Sequence, residues 1–255
     1  MKIILFLVLI ASPVVAQNPT LQKDRQVLLD FRGERSFAQP KISAATEKIV
    51  LSKLFRRYLT DANRCNSNFD ASGNGDYLAA ARKAGEIVPS ISAIATGSFT
   101  APGQSQTLYV ISVSECNASH ADNFGTKRAA IFSGQQLVAD VDVDFKQSIE
   151  RKTDLNSDGV DELLMTSGDT HQGVVEEMAA VYSFQNGRLQ VVHDFGLVVE
   201  NSCASLMPGS ATKASVLYIS DIVPFKMPKF AQENYRGGCA KTKRWRLISR
   251  GKMEE

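Results

Sequence analysis

Apolar and polar residues fall along this chain in distinct textures. A wholly apolar run, Ile3 to Ile10, follows the positive Met1-Lys2. From residue 17 to about 88 the apolar positions recur at helical spacing. Within 43–59, Ile49, Val50, Leu54, Tyr58 and Leu59 share one stripe while Lys48, Lys53, Arg56 and Arg57 mostly fall off it, which predicts an amphipathic helix. A shorter helix is predicted to end at Ala84, capped by Asp76 in front and by Gly85 behind. From about Ile91 the texture becomes that of strands: short runs rich in branched and aromatic residues, separated by turn signals, at 107–111, 128–132, 137–145, 215–220 and 243–249. Asn186-Gly187 is predicted to turn a tight hairpin between 179–185 and 188–195.

These textures suggest three regions: 1–16, 17–88 and 89–255. The first resembles a secretory signal peptide. Pro13 breaks the apolar run, Val14-Val15-Ala16 offers small residues for cleavage near Ala16, and the run is too short to span a bilayer. The expectation is a secreted or periplasmic chain with no membrane span. Basic and acidic residues nearly balance, 29 against 27, so no global field points to nucleic acid. Cys65, Cys116, Cys203 and Cys239 are too far apart for a zinc ribbon and suit two disulfides in an oxidising compartment. Sequence leaves all three connectivities open; Cys65–Cys116 with Cys203–Cys239 closes the shorter loops.

The most specific chemistry lies in Asp154-Leu-Asn156-Ser-Asp158-Gly159-Val160-Asp161-Glu162, followed by the apolar Leu163-Leu164-Met165. Oxygen-bearing side chains recur at every second residue and a glycine follows the third, the spacing with which a short loop wraps a hard cation such as Ca²⁺. Asp154, Asn156 and Asp158 would each supply an oxygen, and the Val160 carbonyl and Glu162 would close the shell. An EF-hand is not indicated, because its twelfth loop position would be Met165, which cannot ligate calcium. The alternative is a solvated Asp/Asn/Gly turn between strands.

On these residues the stretch resembles the calcium loop of FG-GAP repeats, the blade units of integrin-α/VCBS-like β-propellers. Glu162 stands where that motif has its last Asp, with Asp161 beside it. The resemblance implies Ca²⁺ as the bound ion and a propeller-like β fold. An internal echo accompanies it: 98–103 followed by Leu108-Tyr-Val-Ile aligns with 153–159 followed by Leu163-Leu-Met, an offset of 55 residues between Leu108 and Leu163. The following runs, Ala-Ala-Ile131-Phe-Ser and Ala-Ala-Val181-Tyr-Ser, correspond as well, and a fainter copy passes through Pro208-Gly209 into Val216-Leu-Tyr-Ile219. The length suits a four-stranded blade. The expected fold is therefore mainly β with an N-terminal helical segment, its repeats forming an incomplete or a small propeller.

Other clusters are less specific. Asp140, Asp142 and Asp144 alternate with Val141, Val143 and Phe145, which is the pattern of a strand with one solvated face; two such carboxylates could also serve glycoside hydrolysis. His120 follows Cys116 by four residues, His171 follows the strand after the loop, and Asn117-Ala118-Ser119 fits a glycosylation acceptor. Trp245 sits among Arg236, Lys243, Arg244, Arg246 and Arg250, which suits either an acidic polysaccharide or a charged edge strand with Trp245 and Leu247 inward. With no catalytic signature, the reading is a secreted calcium-binding β-repeat module directed at a surface glycan or protein. The alternative is a secreted hydrolase that uses carboxylates such as Asp140 and Asp144, with calcium in support.

Overall fold

A computed structural model describes residues 25–35, 40–65, 77–116, 126–143, 148–205, 208–240 and 242–251. The leader and its Ala16 site, Asp76 with the loop before it, Asn117–Ser119, His120, Asp144 and Phe145 lie outside these residues.

The fold is mainly β. Strands β1 (Gln26–Asp30), β2 (Ile87–Gly97), β3 (Gln106–Glu115), β4 (Thr126–Ser133), β5 (Gln136–Asp142), β6 (Ser148–Thr153), β7 (Glu162–His171), β8 (Val174–Ser183), β9 (Gln190–Asn201), β10 (Thr212–Ser220), β11 (Lys229–Gly237) and β12 (Arg246–Arg250) accompany helices α1 (Ala44–Leu54) and α2 (Tyr77–Ala84). β2 to β5 form one antiparallel meander. A second, strongly curled sheet runs β12-β11-β10-β9-β8-β7-β6, with β1 added alongside β10. The sequence echo thus maps onto two successive four-stranded meanders, β2–β5 and β6–β9, each with an eight-residue loop, 98–105 and 154–161, between the first and second strands.

The apolar runs make three packed layers. On β3, Tyr109, Ile111 and Val113 face α1 and α2, where Val50, Leu51, Phe55 and Ala81 cover them. Leu108 and Val110 face the other way, onto Leu163, Met165, Ala180 and Tyr182 of the second sheet. A strand buried on both faces reads as an unbroken apolar run instead of an alternating one. The far side of β7 and β8, Leu164, Ala179 and Val181, joins Leu28, Phe31, Leu217 and Phe230 inside the curl.

Several expectations change. The segment 17–88 is not uniformly helical, because Gln26–Asp30 is a strand, register-paired from Gln26↔Ile219 to Asp30↔Val216. α1 is capped by the Ser43 hydroxyl, which accepts from the Thr46 N–H at 3.1 Å, and it stops at Phe55 instead of continuing to Leu59. Phe55 turns extended and tucks its ring into the core, so the buried stripe is Val50-Leu51 and Ile49 is exposed. α2 ends as predicted: Gly85 has φ +80°, the Glu86 N–H reaches Ala81 O and the Gly85 N–H reaches Arg82 O, a Schellman closure. Asn186 and Gly187 both take positive φ, but the last paired residues are Ser183 and Gln190. Phe184 is fully buried between them, which widens the hairpin. Just ahead of β12, Trp245 packs on the core, while Leu247 within the strand is exposed.

Both disulfides form, Cys65–Cys116 and Cys203–Cys239, in the pairing that closes the shorter loops. No helix among the described residues is long and apolar enough to cross a membrane. Glu233 on β11 ties the segment ahead of β1 to β12, two stretches far apart in sequence. It accepts from the hydroxyls of Tyr235 at 2.7 Å and Tyr218 at 3.1 Å, and pairs with Arg25 ahead of β1 at 3.3 Å and Arg250 of β12 at 3.2 Å.

Candidate metal centre

The loop between β6 and β7 is anchored by its own apolar residues: Leu155 and Val160 are buried, and Thr153 pairs with Glu162 across its neck. Between these anchors the polar side chains fold back over the loop. Asp154 accepts from the N–H groups of Asp158 at 3.1 Å and Gly159 at 2.9 Å. Asn156 Oδ1 also accepts from the Asp158 N–H, at 3.1 Å, and its amide nitrogen donates to Asp158 Oδ2, at 3.1 Å. Asp158 Oδ1 accepts from the Val160 N–H at 2.8 Å. Gly159 has φ +85°, and a Cβ there would press against Pro102, 3.0 Å away, in the equivalent loop of the first meander.

Glu162 and Asp161 take opposite roles. Glu162 is 1% exposed and accepts from the Leu155 N–H at 2.9 Å. Burial pushes its pKa up to about 7; the charges of Asp158 and Asp154 add to the rise, and the Leu155 hydrogen bond opposes it. Asp161 instead turns toward the first meander. Its carboxylate accepts from the Ser98 N–H at 2.8 Å and meets Lys152 at 3.4 Å, and its own N–H donates to Ser98 O at 2.7 Å. A Cβ at Gly97 would lie 2.3 Å from Asp161 Oδ2, so any larger residue there would push the carboxylate aside. Of the two adjacent acids, Glu162 is therefore the one electrostatically coupled to Asp154 and Asp158. The β10–β11 turn also touches the loop, its Phe225 N–H donating to Asn156 O.

Among the described residues no three His, Cys, Asp or Glu side chains gather at metal-holding separation. Asp154 and Asp158 are drawn onto the loop's own N–H groups. The three carboxylates of the candidate set Asp154, Asn156, Asp158, Val160 and Glu162 are thus not gathered on one point, while Asn156 and the Val160 carbonyl are oxygen donors of other kinds. The donor chemistry fits a hard cation: all oxygens, with carboxylates, an amide and a carbonyl available within one short loop. A nearly inaccessible carboxylate whose ionisation is opposed by two neighbouring acids fits a cation as well.

The other candidates separate. Asp140 and Asp142 are exposed on β5 and share Arg128, which lies 2.7 Å from Asp140 and 2.9 Å from Asp142. Ala139 and Val143 are buried beneath them, so β5 has the ordinary solvated face. The disulfide of Cys116 removes any thiol–imidazole dyad with His120. His171 is exposed at the end of β7, and His193 stacks on Phe230 at 4.7 Å. The inter-loop role of Asp161 escaped the sequence reading; the adjacent acid pair was a signal, but the direction of each side chain was not. No family model matches the chain, and the searches of curated proteins and of solved structures find no match.

Proposed function

We propose that this protein is a secreted β-repeat binding or structural module in which a Ca²⁺ ion clamps the β6–β7 loop. Asp154, Asn156, Asp158, the Val160 carbonyl and Glu162 would hold the ion, with an affinity of order 10⁻⁴–10⁻³ M, as in extracellular modules. The observation that carries the reading is the buried Glu162, its ionisation opposed by Asp154 and Asp158. A divalent ion would offset that repulsion and gather the side-chain oxygens now engaged by the loop's own N–H groups. The paired meanders, with their loops at equivalent places, support the FG-GAP-like reading, and the two disulfides suit an oxidising compartment. Calcium titration by calorimetry tests it. One ion per chain is expected, lost in an Asp154→Ala/Asp158→Ala variant; a flat titration of the unmodified chain would refute it.

A further inference from the structure

The second sheet carries a trough whose floor is β10 and β11 and whose walls are β9 and β12. One end, of about 260 Å³, lies between Leu197 and Ile248 over Ser215 and Asn234. The other, of about 390 Å³, lies between Arg236 and Arg246 beside Gly237 and Gly238. Ile248 lines both ends, so they adjoin.

Two features set this face apart. The first is a row of like charge. Lys213 stands directly across from Arg236, and Arg236 directly across from Arg246. Like charges directly opposite on antiparallel strands destabilise the pairing. Lys213 is relieved by Glu200 at 2.9 Å. Arg236 has only the Gly209 carbonyl, at 3.2 Å, and neither Arg236 nor Arg246 has a carboxylate partner among the described residues. The second is a ladder of amides and hydroxyls along the floor. Gln232 donates to Ser215 at 2.9 Å and to Asn234 at 2.8 Å, Ser215 to Asn234 at 2.7 Å, and Asn234 to Ser249 at 2.9 Å.

We infer that this trough binds an acidic oligosaccharide, with a carboxylate or sulfate of the sugar held between Arg236 and Arg246 and its hydroxyls met by the Ser215–Asn234–Ser249 ladder. The inference deepens the binding-module reading by naming its ligand. An anion between the two guanidiniums turns a repulsion into a pair of charge-assisted hydrogen bonds. A glycan fits better than an acidic peptide. An extended peptide takes most of its affinity from free main-chain groups, and those of the floor are already committed to the β10–β11 and β11–β12 ladders. What the floor offers is side-chain amide and hydroxyl, the partners that sugar hydroxyls use.

Calorimetry on the full chain with oligogalacturonate, an oligomeric dextran sulfate, neutral dextran and poly-glutamate tests this. At least one anionic glycan should bind and neutral dextran should not, and the carboxylate and sulfate arms identify the preferred group. Arg236→Gln and Arg246→Gln should each weaken binding roughly tenfold or more, while leaving the thermal midpoint unchanged or raised, because each relieves the like-charge pair. Absence of binding by both anionic glycans, equal binding by the variants, or equally tight binding of poly-glutamate would overturn the inference. Calcium titration of the same preparations separates the two readings: glycan failure with calcium binding intact removes only the trough, and calcium failure with glycan binding intact removes only the clamp.

Discussion

Replacing Glu162 by Gln separates two roles of its carboxylate. The side chain is 1% exposed and holds the Leu155 N–H at 2.9 Å, and its pKa of about 7 reflects burial beside Asp158 and Asp154. Gln keeps the length and an oxygen for Leu155, but it removes the charge. In chelator, Glu162→Gln should therefore melt at or above the temperature of the unmodified chain. In calcium the order should reverse. With an affinity of order 10⁻⁴–10⁻³ M and about 10 mM calcium, the ligand stands roughly ten- to a hundredfold above its dissociation constant, which stabilises the folded state by about 1.4–2.7 kcal/mol. For a domain of this size that is a rise of about 3–10 °C in the thermal midpoint. The variant, short of one anionic ligand, should lose most of that rise. Melts followed by circular dichroism, with and without calcium, read all four states. Equal calcium shifts in the two proteins would refute the assignment of Glu162 as a ligand. A variant several degrees less stable in chelator would show that the bare loop needs the carboxylate as an anion with no cation present.

Two further predictions concern the support behind the loop and the Glu233 staple. Gly97→Ala drives a methyl to 2.3 Å from Asp161 Oδ2 and should cost about 1–3 kcal/mol by denaturant unfolding; adding Asp161→Ala should recover part of the loss, whereas simple additivity would show that the two residues do not press on each other. Burial works against ionisation of Glu233, but the Tyr235 and Tyr218 hydroxyls and the charges of Arg25 and Arg250 hold its pKa below the ordinary 4.5. A carboxylate lowered in the fold stabilises above its unfolded pKa, and that contribution fades as pH falls through the folded value. The stability gap between the unmodified chain and Glu233→Gln should accordingly shrink below about pH 4.5, and a constant gap down to pH 3 would contradict the coupling.

What could be read from the chain was local. The strand from Leu108 to Ile111, the Gly85 helix stop and the position of the Asn186-Gly187 turn all depend on neighbours in sequence, whereas the choice among three disulfide pairings came only with the fold. β1 did not reveal itself, since a short run such as Val27-Leu28-Leu29 is compatible with strand or helix until a partner decides. β11 was hidden for a different reason. Asn234 and Arg236 line the trough, Gln232 bonds to its floor, and Glu233 and Tyr235 form the staple, so the strand shows little apolar alternation. The trough itself is a product of register: Lys213, Arg236 and Arg246 become neighbours only when three strands align.

The pairing of β1 with β10 has a consequence for the order of assembly. A ribosome delivers Gln26 long before Ile219, so β1 must wait, unpaired, until β10 has emerged. The two meanders can close on neighbours already made, whereas the curled sheet gains its extra strand only once β10 is out, and the last arm of its Glu233 staple only once Arg250 is. Such a long-range contact is slow to form, so the fold locks only after every strand between Arg25 and Arg250 has been made.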